Sequence, residues 1–165
     1  MNAMLLPPHS RFEQPMEGRE LGTGIRLGLG WHPGDTGPAL SRSPHAMLQI
    51  SAGHFPQPVP LRLTLQAVTA RPDRPATLRL LSPGQPVLQR VLTSAEPVTL
   101  RLASPRHAPG AESTALTLEI DIFASPLLDG TGSDERQIGL ALHAITPRWP
   151  LHQRLRGALA RLRRG

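Results

Sequence analysis

Apolar and polar residues alternate with a period of two through much of this chain, and this limits the fold more than any other feature. From Val59 to Thr69, Leu61, Leu63, Leu65 and Ala67 fall on one side, and Arg62, Thr64, Gln66 and Val68 on the other. From Ser113 to Phe123, Leu116, Leu118, Ile120 and Ile122 share a side opposite Thr117, Glu119 and Asp121. Successive side chains of a strand point to opposite faces, so such runs mark strands with one face buried. Shorter segments of β character lie at Leu21–Gly30, Ala46–Ser51, Ala76–Leu81, Pro86–Leu92, Pro97–Ala103 and Ile138–Ile145. Turn chemistry separates them: Arg71-Pro72-Asp73, Ser82-Pro83-Gly84, Ser104-Pro105 and Pro109-Gly110. About eight short strands with such punctuation predict an all-β, antiparallel, jelly-roll-like sandwich. No helical periodicity is present before residue 149.

The chain has 165 residues, enough for one domain with a real core. The pattern divides it into a flexible N-terminal arm over residues 1–20, a sandwich over 21–146 and a tail over 147–165. There is no cysteine, which excludes a disulfide framework and any cysteine-based zinc site. All 18 basic residues are Arg, and Tyr is absent. This composition, rich in Ala, Leu, Pro and Gly, fits a GC-rich coding bias. The Arg excess therefore says little about nucleic acid. Phe12, Phe55, Phe123, Trp31 and Trp149 are the whole aromatic complement. A single-strand binder needs stacking platforms, so nucleic acid is not an expected partner.

The net charge of +6 is confined to one end. Residues 1–147 carry 12 Arg and 12 acidic residues, whereas residues 148–165 carry six Arg and no acid. Pro147 and Pro150 bracket Trp149. Beyond them Leu151, Leu155, Leu159 and Leu162 recur at helical spacing, within about 80° of one another on a helical wheel. Arg154, Arg156, Arg161, Arg163 and Arg164 fill the rest. This predicts a short C-terminal amphipathic helix, weakened at Gly157 by about 1 kcal/mol relative to Ala. The Leu stripe suits packing on the sandwich. The Arg face suits an acidic partner protein or an anionic membrane surface, and the tail is expected to attach the domain there. The start of the chain has no basic segment before an apolar stretch, and no run approaches the ~20 apolar residues of a membrane span. A cytoplasmic protein, peripheral to the inner membrane, is the expectation.

Two loops hold the candidate site residues. Ser125-Pro126 opens a polar stretch that ends in Asp134-Glu135-Arg136, just before an apolar run. A guanidinium can fork onto a carboxylate or onto loop carbonyls, so Asp134 and Arg136 are expected to form a buried pair that pins the loop to the sheet, rather than to face a ligand. Gly139 inside the next run signals a bulge or a close backbone approach. Upstream, Trp31 stands beside His32 and Asp35. It suits a sugar-stacking platform with polar neighbours, or a plug at the end of the sandwich. His32, His45 and His54 match no metal-ligand spacing, and no phosphate loop, dinucleotide fingerprint or nucleophile elbow is present. No cofactor is expected.

The order of these motifs resembles that of small β-sandwich domains associated with bacterial glycosyltransferases of surface-polysaccharide biosynthesis. Gly30-Trp31-His32-Pro33, Gly37, Ser41, Ala46 and Leu48 fit the first block of that pattern, and Gln89-Arg90-Val91 its middle. Ser125-Pro126 and Asp134-Glu135-Arg136-Gln137-Ile138-Gly139 fit its last block. The chain departs from it at Gly34, where the pattern has Glu, and by lacking a Trp between Gly37 and Ser41. The resemblance implies a non-catalytic accessory or carbohydrate-binding-like protein, with a glycosyltransferase or other protein and a saccharide as partners. A small jelly-roll enzyme acting on a sugar, and a structural self-assembly or protein-interaction module, are the other two readings.

Overall fold

A computed structural model describes residues 19–33 and 37–150. They form two antiparallel sheets that share one core, an all-β sandwich. The strands are β1 (Glu20–Gly22), β2 (Ile25–Leu27), β3 (Ala39–Leu40), β4 (His45–Ser51), β5 (Pro60–Ala67), β6 (Ala76–Leu81), β7 (Leu88–Leu92), β8 (Val98–Ala103), β9 (Ser113–Ile120) and β10 (Leu140–Pro147). One sheet has the order β1-β2-β4-β9-β6-β7, and the other β3-β10-β5-β8. The chain crosses between the sheets at every connection except β1–β2 and β6–β7, the two hairpins.

Period-two patterning places the core as the sequence predicts. Leu61, Leu63, Leu65 and Ala67 of β5 are buried, as are Leu116, Leu118 and Ile120 of β9. They meet Ala46, Leu48 and Ile50 of β4, Leu78 and Leu80 of β6, and Leu140, Leu142 and Ile145 of β10.

Three departures have local causes. The Gly-rich segment expected as one strand is a hairpin, because Gly24 turns the chain at φ 80° between β1 and β2. A Cβ on Gly24 would sit 2.5 Å from His54 Cβ, so only glycine fits there. β3 is two residues long, too short to show a period. A single helical turn, α1 (Pro126–Asp129), lies inside the loop expected to be irregular. Ser125 caps it by accepting the Leu128 N–H, Pro126 opens it, and Gly130 closes it at φ 74°.

The tail's root belongs to the sandwich. Arg148 donates its N–H to the Pro60 carbonyl at 2.8 Å, and the Trp149 ring stacks on buried Phe55. The expected amphipathic helix and its arginines, Arg154, Arg156, Arg161, Arg163 and Arg164, lie outside the described residues. No described helix is long and apolar enough to cross a membrane.

Candidate functional site

The two motif blocks that are remote in sequence meet in space. Trp31 bridges Ser41, and the buried Ser41 hydroxyl accepts the N–H groups of Gly139 and Leu140 at 3.2 and 2.8 Å. His32 Nε2 lies 2.9 Å from the Gln137 carbonyl, which only accepts, so that nitrogen carries the proton and donates. Gly139 has the close approach its sequence signals. A Cβ there would collide with the Ile120 side chain and stand 3.3 Å from Ser41 Oγ.

Trp31 is a core residue, 3% exposed, with its indole N–H donating to the Met47 carbonyl at 2.8 Å. The reason is Gly30, at φ 94°, whose missing Cβ lets the chain pass directly over the His45 carbonyl and turn the indole inward. Of the two roles expected for Trp31, the structure has the plug, and the ring offers no face for a sugar. His32 is half-buried beside it, and Asp35 lies outside the described residues.

Asp134 and Arg136 do pair, half-buried rather than fully buried. Arg136 Nε and Nη2 reach the two carboxylate oxygens at 3.1 and 2.8 Å, and the Arg136 N–H donates to Asp134 Oδ1 at 2.9 Å. The side chains are 31% and 39% exposed, because both belong to one short loop segment that lies on the surface. The guanidinium and the backbone N–H lower the Asp134 pKa from 3.8 to about 2, with a smaller contribution from His32. The Asp134 backbone also ties the loop down. Its carbonyl accepts from the Leu127 N–H at 2.9 Å and the Ser125 hydroxyl at 3.2 Å.

The buried carboxylate of this region is Asp129, the last residue of α1, only 9% exposed. Arg74 Nη2 hydrogen-bonds it and also reaches the Thr69 carbonyl at 3.3 Å, while Arg71 stands 4.0 Å away. Arg71 and Arg74 are juxtaposed by the Pro72-Asp73 turn, where each N–H donates to the other's carbonyl. A turn between β5 and β6 is thereby clamped to α1. Local patterning carries no signal for this pair, since its partners are 55 residues apart.

Outside these clusters, a groove of about 650 Å³ opens on the outer face of the larger sheet. Register builds it. Glu20 stands opposite Arg26, Arg26 opposite Gln49 and Gln49 opposite Ala115, so an acid, a base and an amide form one row across β1, β2 and β4. Directly opposed residues share a face with Cβ atoms about 5 Å apart. Ser51 and Ser113, opposed on β4 and β9, add hydroxyls at one end with His54 and Glu112. Ser113 Oγ donates to Gln49 Oε1 at 3.2 Å, and His54 Nδ1 lies 3.2 Å from Ser51 Oγ. Gly28 keeps the floor low. Gln49 alternates with the buried Leu48 and Ile50 on one strand, but Glu20, Arg26 and Glu112 come from separate segments that only the sheet order unites.

The other described histidines have structural partners. His107 bridges Thr114 Oγ1 and the Phe55 carbonyl at 2.8 and 2.9 Å, His143 faces Gln66 at 2.9 Å, and His45 lies 3.4 Å from Glu119. Among the described residues, no group of three or more His, Cys, Asp or Glu is placed to hold a metal ion. Comparison with protein-family models, curated proteins and solved structures found no match for the chain.

Proposed function

We propose that this protein is a non-catalytic, carbohydrate-binding-like accessory domain of a bacterial surface-polysaccharide pathway, and that its saccharide lies in the groove across β1, β2 and β4. The observation that carries this reading is the cross-strand row of Glu20, Arg26 and Gln49, extended by Ser51, His54 and Ser113. Hydroxyl-rich ligands call for a dense mixture of donors and acceptors on a fixed frame, and a sheet face supplies the frame. Glu20, Arg26, His54 and Glu112 are exposed, so their rotamers are not locked as a catalytic constellation requires. The basic tail then attaches the domain to an acidic partner, such as a glycosyltransferase, or to the cytoplasmic membrane surface.

Titration of the full chain with bacterial polysaccharide fragments, followed by calorimetry and NMR shifts, tests the site. Saturable binding is expected, weakened at least tenfold in Arg26→Ala and Gln49→Ala and unchanged in Leu128→Ala. Binding that ignores both groove substitutions places the ligand elsewhere and overturns the reading.

The enzyme reading draws on one feature, the two carboxylates Glu20 and Glu112 that border the same groove. Two flanking carboxylates are the usual machinery of glycoside hydrolysis. New reducing ends from a bound oligosaccharide, abolished in Glu112→Gln, would favour it over simple binding.

A further inference from the structure

Among the described residues, the larger sheet ends in β7, which pairs with β6 alone. On β6, Thr77 faces β9: its carbonyl accepts the Asp121 N–H at 3.3 Å, and its N–H reaches the Asp121 carboxylate at 2.6 Å. Backbone groups alternate in direction along a strand, so Ala76, Leu78 and Leu80 face β7. Their partners Leu92, Arg90 and Leu88 complete that ladder. The N–H and C=O groups of Gln89 and Val91 therefore point away from the molecule, and Val87 stands at the next alternate position, one residue before the strand. The Gln89 carbonyl confirms the direction, since its acceptor site is taken by Arg90's own guanidinium, Nη1 at 3.2 Å.

Val87 and Val91 also carry the apolar surface of the edge. Val87 is 51% exposed and Val91 59%. Neither Pro nor Lys interrupts the stretch 87–92, although these are the residues that usually blunt an edge. The other edges are poorer templates. β1 and β3 have three and two residues. β8 shows no large exposed apolar side chain.

We infer that β7 is a homodimer edge, and that two copies pair through it, antiparallel, about a two-fold axis at Gln89. A two-fold axis perpendicular to the sheet must pass through a residue paired with itself. Centring on Gln89 matches the outward groups: Gln89 opposes Gln89 of the second copy, and Val87 opposes its Val91. Each is a hydrogen-bonded pair, and the two Val pairs flank the amides on one face. Arg90 then opposes Leu88. Centring on Arg90 would instead set two guanidinium groups directly opposite each other, which is destabilising. Pairing displaces the Arg90 side chain from the Gln89 carbonyl, so association is reversible and concentration-dependent. The polar groove lies toward the opposite edge of the same sheet and stays open in both copies.

Sedimentation velocity on the full chain, from low micromolar to near-millimolar concentration, tests the inference. The mass should rise toward twice 17.9 kDa, and Val91→Lys, with an unchanged β spectrum, should remain monomeric. The chain has no cysteine, so Gln89→Cys introduces a single thiol at the axis and should oxidise to a covalent dimer. Val87→Cys should not, because its counterpart is Val91. A monomer at every concentration, or a dimer indifferent to Val91→Lys, overturns the edge. Equal cross-linking of Val87→Cys and Gln89→Cys overturns the register.

Discussion

The rings of Trp149 and Phe55 lie 5.2 Å apart at 10° from parallel, so the last described stretch of the chain is part of the core. Offset-stacked aromatic pairs contribute about 0.5–1.5 kcal/mol beyond their area, and Trp149 also shields buried Phe55. Trp149→Ala is expected to cost about 2–3 kcal/mol, given the 3–5 of a fully buried Trp. Urea unfolding of the full chain measures it. A form ending at Arg148 should lose the same amount, while one ending at Pro150 should not. The Pro150 form is therefore the one to compare with the full chain in co-sedimentation with anionic vesicles. Loss of binding in that form, reversed by no change in the sandwich, is expected if residues 151–165 carry the attachment; equal sedimentation would end that proposal.

Asp129 should matter more than any other carboxylate among the described residues. It is held by Arg74 with Arg71 nearby, and its removal leaves a half-buried guanidinium without its counter-charge. Breaking such a pair from one side costs about 3–5 kcal/mol when fully buried. Here Arg74 keeps some solvent, so Asp129→Ala is expected to cost about 2–3 kcal/mol. Asp73→Ala, at the exposed tip of the same turn, should fall within about 0.5 kcal/mol of the parent. Equal effects in chemical denaturation would remove the clamp from the account.

Asp134 provides the acid-side test. Its folded pKa, about 2, is below its ordinary 3.8. A depressed carboxyl contributes stability that is fully present above the unfolded value and is lost as pH falls through the folded one. The window is therefore between about pH 4 and pH 2. Solvent exposure screens the pair, and the contribution is expected to be about 0.5–1 kcal/mol. Arg136→Ala should cost a similar amount at pH 7 and flatten the fall in stability over that window. A loss of several kcal/mol would mean that the guanidinium anchors more than its own loop.

Ser41 and Gly139 join the two motif blocks, and substitutions there should be felt in stability before any binding is measured. Ser41→Ala leaves the Gly139 and Leu140 N–H groups without their acceptor in a buried site, at an expected cost of about 1–3 kcal/mol. Gly139→Ala drives a methyl into Ile120 and should cost about 1–3 kcal/mol. Pairing Gly139→Ala with Ile120→Val should restore part of the loss. A neutral Gly139→Ala would show that β9 and β10 can separate at that point.

Alternation alone determined the all-β class, the positions of most strands and nearly all of the buried face, because strand geometry is local and its period of two is printed in the residue order. The same locality made Ser125-Pro126 readable as the start of a polar loop, although not as the capped helix that it is. Tertiary structure decided the rest. Whether Trp31 faced a ligand or the core depended on how Gly30 passes over β4, a contact 15 residues away. The Asp129–Arg74 pair, the Glu20–Arg26–Gln49 row and the free edge at β7 all follow from strand order and register. Those are set by which apolar faces pack together across the whole chain, and no short window of sequence contains that information.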